Sequence, residues 1–270
     1  MNLSYQWIPW AYSHQASKDI AEKLWIKNPI IRGYDSFDEV WESVDDETIA
    51  ILPIENSYAW TIHANVYNFL DYDYEIVLEY KLPVRHCLLW KTSDIKQIDT
   101  VYSHPQALAQ CKKFCEKNHI KQAVYHDTAW AAQYIAKQEN THLVAIASRL
   151  SAELYDLNII AENIQDNDSN TTRFFVIKNK NTDLERNSPL TKTILLFSVR
   201  NGQGILYKCL GALATHGIDL SKIESIPSKK DPFSYMFWVE CLSPLNDAMM
   251  QEALKELSYF TTEVRVLGEV

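Results

Sequence analysis

Lys178–Lys192 reads KNKNTDLERNSPLTK. The run is polar, carries a proline and several asparagines, and shows neither the two-residue nor the 3.6-residue apolar period, so it reads as a linker. Its two flanks follow different patterns, and that contrast decides the fold class. Residues 1–178 are expected to form one domain, 179–191 the connection and 192–270 a second domain.

On the N-terminal side, short apolar or β-branched runs stand at Leu3–Ile8, Ile30–Tyr34, Thr48–Pro53, Glu75–Leu82, His86–Trp90, Thr100–Tyr102, Gln122–Tyr125 and Leu143–Ala147. Amphipathic helical patterns lie between several of them, at Ser13–Trp25, Ser36–Val44, Pro105–Asn118 and Asp127–Lys137. Strands alternating with helices of this length predict βαβ units around mostly parallel sheets. So many strands with so few glycines fit two small lobes better than one wide sheet. Ligands of such folds settle at the carboxyl ends of strands, where loops and helix N-termini present free N–H groups.

On the C-terminal side the order becomes strand Thr193–Val199, helix Gly204–His216, strands Ile218–Ile226 and Phe233–Leu242, helix Asp247–Leu257 and strand Thr261–Leu267. This βαββαβ order is the ferredoxin-like layout. Gly202 and Gly204 open its first helix, and Gly217 stands just past its end, where a left-handed cap is favoured. The fold class read from the sequence is α/β, followed by a ferredoxin-like domain.

The bulk numbers agree with two globular domains: 270 residues, 47% hydrophobic and 23% charged. Net charge is −9, and Lys and Arg never cluster beyond a pair, which argues against a nucleic-acid or anionic-membrane surface. No segment reaches the roughly 18 to 20 apolar residues of a membrane span. The opening MNLSYQWIPWAYSHQ lacks the basic and apolar regions of a secretory signal. Five cysteines, an odd count with no CxxC, read as reduced thiols in the cytoplasm. Cys111 and Cys115 could face one metal across a helical turn, but no His/Cys pair at ligand spacing stands nearby, so neither metal nor cofactor is expected.

Four polar clusters are specific enough to carry chemistry. Pro53-Ile54-Glu55-Asn56-Ser57 ends a strand and enters a turn. Ser103-His104-Pro105-Gln106 follows a strand and opens a helix, with Ser103 as a good N-cap and Pro105 suited to the first turn. Asn170-Thr171-Thr172-Arg173-Phe174 enters a strand, and Glu224-Ser225-Ile226-Pro227 ends one in the second domain. Singly, each could be a turn, a cap or a strand entry.

Their joint order and spacing resemble the prephenate dehydratase family over nearly the whole chain. Phe37-Asp38-Glu39-Val40, Val144-Ala145-Ile146-Ala147-Ser148 and Ala152-Glu153-Leu154-Tyr155 add to the resemblance. It implies a catalytic domain of two α/β lobes, similar to type II periplasmic binding proteins, with the site in the cleft. It also implies a C-terminal ACT domain that binds L-phenylalanine as a feedback effector, in a homodimer or homotetramer. The implied reaction turns prephenate into phenylpyruvate with loss of water and carbon dioxide. Thr172 falls on the family's acid, a hydroxyl that assists departure of the ring hydroxide. Arg173 becomes a candidate for a substrate carboxylate, with a structural ion pair as its alternative. Asn56, Ser57, Ser103, Gln106 and Thr128 are candidate donors, and Phe174 packs beneath the ring site. In the ACT domain, Gly204-Ile205-Leu206 and Glu224-Ser225 match the segments that take the effector.

Some positions depart from the family. Its opening Gly-Pro-x-Gly-Thr-Phe-Ser is here Trp7-Ile8-Pro9-Trp10-Ala11-Tyr12-Ser13, Trp60 replaces a glycine after PIENS, and Ile226 replaces an arginine. A tryptophan with positive φ is costly, so the loops around Trp10 and Trp60 are expected to have been rebuilt. The indoles either pack away from the cleft or narrow it. Arogenate dehydratase, with an amino group in place of the keto oxygen, and a non-catalytic amino-acid sensor are the rival readings.

Overall fold

A computed structural model of the chain describes residues 1–6, 11–58, 60–91, 98–139, 142–184, 189–200, 202–228 and 235–270. The elements begin β1 (Asn2–Gln6), α1 (Tyr12–Lys23), β2 (Ile30–Tyr34), α2 (Phe37–Glu42), β3 (Thr48–Asn56), β4 (Trp60–Thr61), α3 (His63–Asn68) and β5 (Glu75–Pro83). They continue β6 (Cys87–Trp90), β7 (Thr100–Ser103), α4 (Pro105–Gln110), α5 (Lys112–Lys117), β8 (Lys121–Val124), α6 (Thr128–Lys137), β9 (Leu143–Ala147), α7 (Arg149–Tyr155), β10 (Asn158–Ala161) and β11 (Thr171–Lys178). The C-terminal elements are β12 (Thr193–Val199), α8 (Ile205–Thr215), β13 (Leu220–Pro227), β14 (Tyr235–Cys241), α9 (Ala248–Phe260) and β15 (Thr261–Glu269).

The chain divides into two compact units. The first holds Met1–Ser43, Ile51–Ile62 and Tyr80–Phe174, and the second Val44–Ala50, His63–Glu79 and Phe175–Val270. Within the first, one lobe is built on β1, which pairs in parallel with β2 from Asn2↔Ile30 to Gln6↔Tyr34 and neighbours β3. The other lobe is a sheet in the order β10-β6-β9-β7-β8. Here β7 is parallel to β8 and β9, whereas β6 and β10 run antiparallel to their neighbours, so the sheet is mixed rather than mostly parallel.

Period-two alternation sorts the apolar residues of that sheet into two cores. Leu88, Trp90, Val144 and Ile146 meet Leu108, Cys111 and Cys115 of the α4–α5 region on one face. Cys87, Leu89, Ala145 and Ala147 meet Ala131, Ala132 and Ile135 of α6 on the other. Both faces of β6 are thus buried, which is why CLLW reads as an unbroken apolar run. Cys111 and Cys115, the pair considered for a metal, are packed as apolar side chains. The long helix expected over Pro105–Asn118 breaks at Cys111, whose φ of −113° and ψ of 22° leave the helical region.

In the second unit, β12 to β15 form an antiparallel sheet in the order β13-β14-β12-β15, with α8 and α9 between strands as βαββαβ requires. Leu195, Phe197, Val239 and Cys241 pack with Cys209, Leu213, Met250 and Leu257 from the two helices. The opposite side of β14 presents Trp238, whose ring stacks on Phe175 and meets Phe69 edge-on. Gly204 has φ 69° as the N-cap of α8, and Gly217 has φ 73° beyond its end, so both glycines sit where an L side chain is disfavoured. Part of the polar run is pinned down: Lys178 Nζ donates to Thr182 O at 2.9 Å, and Thr182 Oγ1 donates to Asp45 O at 3.0 Å.

Candidate active site

The first unit contains a cavity of about 200 Å³ between its lobes. Asn56, Thr172 and Phe174 line it from β3 and β11, His104, Gln106 and Gln110 from the α4 region, and Asp127 and Thr128 from the start of α6. Tyr12 and His86 complete one side. The cavity lies where strands end and helices begin.

Asn56 organises the polar wall. Its amide nitrogen donates to Thr172 Oγ1 at 2.9 Å and to Asn170 Oδ1 at 3.0 Å. Its amide oxygen accepts from Gln106 Nε2 at 3.3 Å and from the Tyr58 backbone N–H at 3.0 Å. Because the Thr172 oxygen already accepts a bond, its own proton is left for a group in the cavity. Asn170 Nδ2 then donates to Gln110 Oε1 at 2.6 Å, and that oxygen also lies 2.9 Å from His86 Nε2. The Tyr12 hydroxyl lies 3.0 Å from His86 Nδ1 and 2.8 Å from Arg85 O, two groups within reach of its single proton. One chain of hydrogen bonds therefore runs from Gln106 through Asn56 to Tyr12.

Thr172, Asn56, Gln106, Thr128 and Phe174 are brought together here, with Phe174 buried in the wall. Three other candidates are not. Arg173 lies between Thr172 and Phe174 on a strand, so its side chain takes the opposite face. There it donates to Glu55 Oε2 at 2.7 Å, which is the structural ion pair rather than the carboxylate clamp. Ser103 is fully buried and donates to Ile146 O at 2.6 Å. The N-cap of α4 is His104 instead, whose side chain accepts from the Gln106 N–H. Ser57 is exposed and braces the strand entry, donating to Ser169 O at 3.2 Å and accepting from the Thr171 N–H at 3.1 Å. Tyr12, His86, Gln110, Asn170 and Asp127 were not among the candidates. Gln110 was the most legible of them, since it follows Gln106 at i,i+4 and shares its helix face.

Trp60 retains φ 65°, so the expected rebuilding of the backbone fails at this position. The left-handed conformation costs about 1–2 kcal/mol for an L side chain. Its indole is 77% exposed and is not part of the cavity wall. Trp10 lies outside the described residues. Ala11 lines the cavity, and α1 consequently starts without a side-chain cap.

Burial holds the pKa of His86 below its ordinary value, with the bond to Gln110 partly opposing the shift. The unfolded chain therefore takes up this proton at higher pH than the folded one, so the contribution of His86 to stability falls as pH drops below about 6.5. Denaturant titrations at pH 7.5 and 5.5 should show a smaller acid loss in His86→Gln than in the wild type. Equal losses would remove His86 from that account.

In the second unit, Gly204, Ile205 and Leu206 lie at the start of α8, and Glu224 and Ser225 lie on β13. Glu224 pairs with Lys222 Nζ at 3.2 Å and lies 3.4 Å from His63 Nδ1, while Ser225 is exposed. Ile226 is buried opposite Met236, where a guanidinium would lack water.

The sequence model described as "Prephenate dehydratase" matches residues 3–182. Arogenate dehydratase/prephenate dehydratase 2, chloroplastic, from Arabidopsis thaliana is 38% identical over 280 residues, covering 99% of this chain and 72% of that protein. A solved structure described as GqqA, a novel type of quorum quenching acylase, is 31% identical with a TM-score of 0.86, covering 100% of this chain and 97% of the other. Prephenate dehydratase from Arthrobacter aurescens, solved in complex with L-Phe, shares the fold at 22% identity and a TM-score of 0.86, covering 100% and 89% of the two chains. The chain belongs to the prephenate dehydratase family. No described helix is long and apolar enough to cross a membrane.

Proposed function

We propose that the chain catalyses decarboxylative dehydration of prephenate, with the Thr172 hydroxyl as the donor to the departing ring hydroxide. The observation that carries this is the 2.9 Å bond from Asn56, which the Thr172 oxygen accepts on the cavity wall, so that its own proton is not given to Asn56. As the ring C–O bond breaks, its electrons go to oxygen, and the ring carboxylate releases carbon dioxide as its C–C electrons enter the aromatic ring. The departing hydroxide takes one proton, supplied by solvent, and leaves as water. A Thr hydroxyl is a weak acid, so its contribution is a hydrogen bond that strengthens as charge develops. The amide of Gln106 and the hydroxyl of Thr128, both on the cavity wall, offer neutral donors to the substrate carboxylates.

Arogenate is the second reading, favoured by the plant relative named for both activities. Incubating purified protein with either compound and following phenylpyruvate or phenylalanine tests both. Absence of both products would leave the non-catalytic sensor. We assign the ferredoxin-like elements of the second unit to an ACT domain for phenylalanine, with Gly204, Ile205, Leu206, Glu224 and Ser225 as its ligand residues. The family resemblance of these segments supports that reading, and inhibition of turnover by added phenylalanine tests it. Homodimeric or homotetrameric assembly follows by the same analogy and is testable by light scattering. The cytosol is the compartment we propose, in keeping with five free thiols.

A further inference from the structure

The charge balance of the cavity separates the two substrates. Prephenate carries two carboxylates and a neutral keto group; arogenate carries the same carboxylates with an ammonium in place of the keto oxygen. Among the described residues lining the cavity there is no Lys or Arg, and Asp127 is the one carboxylate. Arg173, the side chain nearest in sequence that could have balanced a dianion, is committed to Glu55 on the other face of its strand.

Asp127 is also placed to use that charge. It is the N-cap of α6, accepting from the Ala129 N–H at 2.7 Å and the Trp130 N–H at 3.3 Å. Both bonds fall on the same oxygen, Oδ1, so helix capping does not consume Oδ2. The hydroxyl and the side chain of the substrate sit at opposite ends of the ring. With the hydroxyl at Thr172 on β11, the side chain must be met by another wall, and α6 supplies one.

Resting on the dehydratase reading, we propose that Asp127 is a specificity-determining residue, accepting the ammonium of arogenate and opposing the dianionic keto acid. A carboxylate facing an ammonium forms a charge-assisted bond, while the same carboxylate facing a carbonyl has nothing to accept and only repels the substrate carboxylates. Asp127 therefore shifts the balance toward the substrate of lower net negative charge.

The test is the ratio of kcat/KM for arogenate to that for prephenate in the wild type, Asp127→Asn and Asp127→Ser. Asn and Ser are both strong N-caps, so α6 is retained in either variant. The expected result is a ratio that falls about ten-fold from the wild type to Asp127→Asn, the size of a lost bond to a charged group. It should fall through lower arogenate turnover together with higher prephenate turnover. An unchanged ratio, or equal loss of both activities in both variants with native circular dichroism, would overturn the role of Asp127. A wild type inactive on both substrates would instead overturn the dehydratase reading itself.

Discussion

Thr172→Ala should lower kcat by roughly 10² to 10³, the measured range for removing one preorganised donor to a developing oxyanion. Asn56 donates to the Thr172 oxygen, Asn170 and Gln110 hold the same wall, and Phe174 anchors the strand beneath. Among the described residues none takes a bond from the Thr172 hydroxyl, so the variant should fold normally with the loss confined to turnover. Thr172→Ser keeps the hydroxyl and should recover most of it. Initial rates on prephenate and arogenate with all three proteins decide the matter; a loss below ten-fold in the alanine variant would remove Thr172 from the mechanism.

Gly268→Ala should produce the largest loss of stability for the smallest change in the chain. Gly268 has φ 156° on β15, beside a register shift against β12, and it pairs in parallel with Ile76 of β5. A Cβ at this position would lie 2.0 Å from the Ile76 carbonyl oxygen and 2.7 Å from its carbonyl carbon. Both are backbone atoms of a paired strand, so no side-chain rotation can relieve the clash. Overpacking together with an unfavourable φ is worth about 2–4 kcal/mol. In a protein of this size that is a fall in Tm on the order of 5–10 °C. Calorimetry finding the two melting temperatures within a degree would show that β15 shifts freely, contrary to this account.

Much of the architecture was legible because strong periodicity reports burial directly. Ile30–Tyr34 and Leu143–Ala147 are strands with the same bounds that their apolar runs suggested. Gly217 marked the end of α8 because its left-handed conformation is one that only glycine adopts freely. The short elements β4, α3, α7 and β10 were missed, since a few residues shaped by tertiary contacts carry little pattern. Parallel and antiparallel neighbours were also indistinguishable: a buried strand such as β6 looks the same in either.

The site divides along the same line. Asn56 and Thr172 were readable as members of motifs, but the bond between them joins residues 116 apart in sequence. Arg173 could have been excluded from the cavity by alternation alone, since Thr172 and Phe174 flank it on one strand. Likewise, Pro105 at the first helical position makes His104, not Ser103, the capping residue. His86 offered no signal: a lone histidine entering an apolar strand is compatible with many roles. Asp127 was read as the start of a helix, and only the cavity gives its carboxylate a second meaning.

The five cysteines are all buried, none more than 4% exposed, with Cys87, Cys111 and Cys115 in the first unit and Cys209 and Cys241 in the second. Burial raises every one of these thiols, Cys241 to about 12, so thiolate is scarce at neutral pH while the chain is closed. An alkylating reagent will modify them only during openings. Mass spectrometry of timed labelling would then clock the breathing of each unit by itself, with three intrinsic reporters in one and two in the other and no probe to engineer.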